Sequence, residues 1–309
     1  MDIYLPIAEM TVSVETIFLL GTFVGFLSGV FGVGGGFLTT PFLIFMGVPP
    51  AIAVGTQANQ LVASSASGFM GYWKKGNVDV KMAGIMLIGS FLGTLFGVLL
   101  FRLLQHLGQI DLVIPVLYVL ILGSMGSLMW YESLGSLLRK KKPQTAEKPK
   151  LYRHPFFQML PYKMRFERSR IYVSALLPGA MGFLGGLFVS VLGIGGGFLM
   201  VPAMIYILGM PTILVAGTSL FQIMLSSIFT TVLQAVTNHT VDMVLAALLI
   251  SGGVIGAQFG VRASRHIKGV HARVILASIL LIIAFKLTGD LLIPPRELYT
   301  LEIKVEGQV

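Results

Sequence analysis

The chain has 309 residues, of which 55% are hydrophobic and only 11% charged, with a mean hydropathy of +0.86. A soluble domain carries about 25% charged residues, so the composition excludes a soluble globular protein and describes a polytopic membrane protein. The net charge is +9 and there is no cysteine, which removes disulfide frameworks, thiolate metal sites and cysteine nucleophiles.

No Lys or Arg precedes the first apolar run, so the basic n-region of a signal peptide is missing. Apolar segments fall at 14–31, 34–46, 50–73, 80–101 and 110–131, and again at 171–192, 195–208, 212–236, 242–263 and 272–293. Most approach the roughly 20 residues that cross a bilayer as a helix. The second segment of each half is short and opens on a glycine run. Gly34, Gly35 and Gly36 lead to Pro41, and Gly195, Gly196 and Gly197 lead to Pro202. Glycine inside a helix costs about 1 kcal/mol against alanine, so each run marks a chain break or a close backbone approach. Within a membrane, broken backbone is tolerated only where it is buried in protein or lines a cavity. The short segments therefore read as half-helices, re-entrant hairpins or strongly tilted spans.

Between the halves, residues 132–170 hold 11 of the 22 Lys and Arg against Glu132, Glu147 and Glu167, a local net charge of +8. The positive-inside rule places this stretch in the cytoplasm, and no nucleic-acid partner is needed to explain it. Residues 139–150 are charged and punctuated by proline, as in a flexible linker. Residues 151–170 interleave aromatic and basic side chains, which suits the inner membrane surface. The chain thus divides into an N-terminal membrane repeat (1–131), a basic cytoplasmic linker (132–170) and a C-terminal membrane repeat (171–309).

The two halves correspond. Gly34–Pro41 matches Gly195–Pro202 at an offset of 161, Gly55, Thr56 and Gln60 match Gly217, Thr218 and Gln222 at 162, and Gly89, Gly93 and Gly97 match Gly252, Gly256 and Gly260 at 163. The last set forms GxxxG ladders, which let helices pack closely. Asp79 and Asp242 open the ladder helices as caps or first-turn acids. Charge swaps sides between the halves. Lys74, Lys75 and Lys81 precede the first ladder, whereas Arg262, Arg265, Lys268 and Arg273 follow the second. The expected architecture is all-α and integral to the inner membrane, with two inverted repeats of about five helical segments, both termini outside, and an open oligomeric state. Inverted repeats with matching broken helices point to a secondary transporter whose site lies near the midplane.

The candidate site residues follow from this. Backbone N–H groups at a helix start bind anions without side-chain charge, so Gly34–Gly36 and Gly195–Gly197 are candidate donors; close helix crossing is the competing explanation of the same glycines. Thr56, Gln57, Asn59, Gln60, Thr218, Ser219 and Gln222 are polar within apolar segments. They offer neutral hydrogen bonds either to an anion or to neighbouring helices. No mid-segment carboxylate is available as a proton relay or Na⁺ ligand. No metal-spaced His, Asp or Glu set and no catalytic triad is visible, so neither metal, cofactor nor enzymatic activity is expected. Lys286, with Asp290 four residues on, reads as a snorkelling cation.

These features resemble the TauE/SafE (TSUP) family of sulfite exporters. Gly25-Phe26-Leu27-Ser28-Gly29 leading into Gly32–Pro41, the copy at Gly193–Pro202, and Gly55-Thr56 with Gly217-Thr218 carry the likeness. The resemblance implies a transporter of a small sulfur-containing anion such as sulfite, sulfoacetate or thiosulfate. A small-anion channel, an importer, and a non-transporting assembly or regulatory factor acting through the linker remain as alternative readings.

Overall fold

The computed structural model describes residues 2–32, 34–138, 161–264 and 269–292. The basic run 139–150, the aromatic stretch as far as residue 160, Arg265, Lys268 and the C-terminus lie outside the described residues.

The first half opens with a hairpin of β1 (Asp2–Leu5) and β2 (Met10–Ser13), followed by α1 (Val14–Phe31), α2 (Gly36–Phe45), α3 (Pro50–Trp73), α4 (Val80–His106) and α5 (Ile110–Leu138). The second half opens with β3 (Lys163–Phe166) and β4 (Ile171–Ser174). Then come α6 (Leu176–Leu192), α7 (Gly197–Tyr206), α8 (Thr212–Leu233) with a π-helical end at Gln234–Asn238, α9 (Met243–Ala263) and α10 (Gly269–Leu292). The fold is that of an all-α membrane protein, and six of its helices are long and apolar enough to cross a bilayer among the described residues. α3 is not one of the six. It is 24 residues long, yet it spends much of its length on Gln, Asn, Thr and Ser. Side chains such as Ile88, Leu92, Phe96 and Leu99 of α4 face outward, as a lipid-facing surface requires.

Two pairs of helices form the frame. α1 and α9 run in the same direction, with Gly21, Gly25 and Gly29 set against Leu249, Gly253 and Ala257 in steps of four. α4 and α6 do likewise, with Gly89, Gly93 and Gly97 against Gly179, Phe183 and Leu187. A methyl group at Gly25 or Gly93 would collide with the carbonyl of Gly253 or Phe183, so the ladders bring backbone to backbone. The corresponding helices α3 and α8 cross antiparallel, with Phe69 stacked on Phe221 at 5.0 Å and Tyr72 beside Gly217.

The short helices turn back. α1 ends at Gly32, and Gly35 then lies against Val24 and Ser28 of α1. Leu43 and Val48 rejoin Val12 and Ile17 in one buried cluster at the start of α1. At 10 residues, α2 is about 15 Å long, half of the roughly 30 Å hydrocarbon core. It is therefore a half-helix folded back on α1, and α7 repeats the form in the second half.

The linker differs from its sequence reading at both ends. α5 continues to Leu138, seven residues past the apolar segment, with Ser133–Leu138 still carrying three leucines despite Gly135. Residues 163–174 form a hairpin that packs Phe166 into a buried methionine-rich cluster with Met82 and Met86, so this part is folded against the helices and is not a free linker. The hairpin is the counterpart of residues 2–13 at the same offset of 161. Leu5 and Phe166 are both fully buried, and Glu9 and Arg170 share a left-handed φ of 52° and 53°.

Candidate functional site

The two glycine runs meet. A Cβ at Gly36 would collide with the Gly193 carbonyl and lie 3.0 Å from the Gly195 nitrogen. The start of α2 therefore abuts the start of the corresponding break. Gly35 and Gly196 cap the two half-helices with φ of 72° and 60°, a left-handed conformation that costs roughly 1–2 kcal/mol for other residues. Neither half-helix has an acid in its first turn. The start of one half-helix thus lies close to the glycine run that opens the other, beside the Gly193 carbonyl at the end of α6.

The glutamines stand next to these ends. The Thr39 hydroxyl donates to Gln60 Oε1 at 2.9 Å, three residues into α2 from Gly36. Gln60 Nε2 has no hydrogen-bond partner although the side chain is 1% exposed. Gln222 lies beside Gly185, which in turn touches Gly196. Its amide pairs with Ser90 Oγ at 3.2 Å and leaves Oε1 without a partner. Turned about, Gln222 would accept from Ser90 and present a free N–H₂, matching Gln60. Gln57 is fully buried with both amide atoms unpartnered. Buried polar groups are almost always paired, and these three glutamines stand out as buried amides with an atom left over. Leu61 and Ile223, each the neighbour of a glutamine, close over Gly34 and Gly195 and are fully buried.

The remaining candidates are engaged elsewhere. Thr56 Oγ1 accepts from the Asp242 N–H at 2.9 Å, and Thr218 Oγ1 accepts from the Asp79 N–H at 2.9 Å. The hydroxyls thus tie α3 and α8 to the starts of the other half's ladder helices. Ser219 donates to the carbonyls of Gly32 and Ala216, which fastens α8 to the end of α1. Asn59 is half-buried, and its amide reaches the Thr56 carbonyl at 3.4 Å. Asp79 and Asp242 cap their helices through Met82, Val244 and Leu245 N–H. They also receive the hairpins. Ser169 donates to Asp79 Oδ2 through both N–H and Oγ, and Ile7 N–H donates to Asp242 Oδ2. Lys286 places its ammonium 4.0 Å from the centre of the Phe45 ring, a cation–π contact at the end of α2. No group of three His, Cys, Asp or Glu suited to a metal ion occurs among the described residues.

Sequence reasoning missed Ser90, Leu61 and Ile223. Leu61 and Ile223 share the 162-residue offset of the glutamines they follow, which was a usable signal. Ser90 sits inside a GxxxG ladder and reads as a packing residue, with Gly253 as its counterpart.

Converging half-helices within a bundle of membrane-crossing helices define a polytopic membrane protein of the transporter class. The chain belongs to the family described as Sulfite exporter TauE/SafE, which matches residues 17–287. It is similar to the probable membrane transporter proteins YunE and YjnA of Bacillus subtilis, at 28% and 30% identity. These alignments cover 87% and 88% of this chain, and 95% and 98% of those proteins. It is also 32% identical to a probable membrane transporter protein of Xylella fastidiosa, over 80% of this chain and 85% of that protein. No solved structure matches.

Proposed function

We propose that this protein carries a small sulfur-containing oxyanion, sulfite or a sulfonate such as sulfoacetate, outward across the inner membrane by alternating access between two inverted repeats. The observation that carries the reading is the meeting of two half-helix N-termini, without an acid, beside the orphaned amides of Gln60 and Gln222. Each end amounts to about half a positive charge. At about 4 Å and an effective dielectric of about 20, each is worth about 2 kcal/mol to a monoanion. Dehydrating the ion costs several kcal/mol, so the helix ends offset that cost without trapping the ion. The backbone of Gly34–Gly36 and Gly195–Gly197 would donate, the N–H groups of Gly36, Gly196 and Gly197 exchanging the carbonyls of Gly34, Ile194 and Gly195 that they now meet for the anion. The amides of Gln57, Gln60 and Gln222 would orient it, and Thr56 and Thr218 would hold the helices that present them.

Inversion is supported by the antiparallel crossing of the corresponding helices α3 and α8. It is also supported by a cavity shared by Arg102 and His106, after the first ladder, and His239, before the second. The seal of Leu61 and Ile223 over the glycines favours a carrier over an open channel. A negative interior favours anion export by about 2.3 kcal/mol per charge and 100 mV. The name of the family and those of the relatives agree with transport.

The test is flux from proteoliposomes loaded with sulfite, with sulfate, thiosulfate, sulfoacetate and acetate as competitors, at zero and at imposed potential. Saturable flux that rises with an interior-negative potential is expected. Absence of flux for all five from folded protein would overturn the reading.

A further inference from the structure

One feature breaks the twofold likeness of the halves. Gln222, Ser226, Thr230, Gln234 and Asn238 recur every four residues along α8 and its π-helical end, and all are buried. In α3 the polar run stops early. The counterparts of Thr230, Gln234 and Asn238 at the 162-residue offset are Gly68, Tyr72 and Gly76. The stripe begins at the central glutamine and ends in a cavity of about 390 Å³ lined by Arg102, Gln105, His106, Thr237, Asn238 and His239. Asn238 Nδ2 donates to Gln234 Oε1 at 2.5 Å, and Gln234 Nε2 donates to the Ser190 carbonyl at 2.7 Å. Asn238 Oδ1 and the nearby Thr231 Oγ1 are buried without a partner. The cavity lining contains a permanent cation and no acid. Ser226 and Thr230 donate within the helix to the carbonyls of Ile223 and Ser226, so the stripe is a line of buried polar groups held by internal bonds from the centre to the cavity. Packing alone does not call for it, since the other half manages without.

We propose that the Arg102 cavity is a second anion station, a vestibule for small oxyanions, and that the α8 stripe is the path joining it to the central site. The path rests on the anion-carrier reading, while the vestibule rests on its own lining. Arg102 supplies the fixed charge that concentrates anions at the mouth, and Asn238 and Gln234 hand the ion to the stripe through neutral hydrogen bonds.

The chain has no cysteine, so single cysteines report without background. Thr230→Cys and Ser226→Cys are made, each conservative in size, with the exposed Leu107→Cys as a control for access from the same face. Each is treated with the anionic reagent sulfonatoethyl methanethiosulfonate and with its cationic trimethylammonioethyl analogue, and rates are normalised to those for a free thiol. An anionic preference of at least about fivefold is expected at Thr230→Cys and Ser226→Cys. Arg102→Gln should cut that preference at least about threefold, and Arg102→Lys should restore it. Sulfoacetate should slow labelling of both cysteines. Modification of Leu107→Cys alone, or a preference indifferent to Arg102→Gln, would overturn the proposal. Labelling does not depend on sulfite flux. A vestibule that passes this test while the flux assay fails would leave the station standing and refute the proposed cargo. Flux without an anionic preference would do the reverse.

Discussion

At the residue scale, the central glycines and glutamines separate by what a substitution would do. A methyl at Gly36 meets the Gly193 carbonyl, so Gly36→Ala should lower the yield of folded protein whatever the cargo. Gly35→Val is equally uninformative about binding, because Val24 Cγ1 and the Val24 carbonyl lie 2.9 and 3.2 Å from the new Cβ. Gln60→Glu and Gln222→Glu are the sharper probes. Each keeps the shape and replaces an amide by a carboxylate beside the positive helix ends, where it would compete with the anion. Loss of a hydrogen bond to a charged ligand is worth about 1.5–3 kcal/mol, so transport efficiency should fall about 10- to 100-fold at unchanged expression. Wild-type sulfite flux in both variants would remove the glutamines from the site.

At the element scale, the ladder helices are pinned at their starts by the opposite half. Asp79 caps α4, accepts from Ser169 in the β3–β4 hairpin, and donates its own N–H to Thr218 in α8. Asp242 repeats the arrangement with Ile7 and Thr56. Loss of a cap costs about 0.5–2 kcal/mol, and the orphaned Ser169 hydroxyl and N–H add about 1–3 kcal/mol. Asp79→Ala should therefore lower the thermal midpoint in detergent clearly more than Ser169→Ala does. Equal midpoints for Asp79→Ala and wild type would show that the clasp does not hold the fold. The acids were legible as helix caps from their place before the ladders. Their hairpin partners were not, because residues 2–13 and 163–174 agree in pattern and share only Val and Ser at their last two positions.

At the scale of the whole molecule, the parallel pairs α1 with α9 and α4 with α6 tie each half to the other over about three helical turns each. The halves interlock through backbone contact at these pairs, so the alternating access of the proposal would have to move elements outside them. The topology that follows from the proposal places Gly76 and Gln109 on opposite faces, with His239 on the face of Gln109. Single cysteines at these positions in whole cells, probed with an impermeant maleimide, should label at Gln109 and His239 and stay unlabelled at Gly76. Labelling of Gly76 and Gln109 from the same side would break the five-segment arrangement of each half.

The order of segments, the two chain breaks, the repeat and the family were all readable in the sequence. They depend on local hydrophobicity, on the intrinsic cost of glycine within a helix, and on matching over long spans. Which polar residue faces the break and which one serves the scaffold was decided by the tertiary structure. Thr56 and Gln60 lie one helical turn apart and look equally suited to an anion. Only the placement of Asp242, 186 residues away, commits the Thr56 hydroxyl to a backbone N–H, while the Gln60 amide keeps a donor without a partner. A hydroxyl or amide has the same polarity whether it meets a ligand or a backbone group. Its role is therefore fixed by neighbours that come together only when the two halves fold against each other.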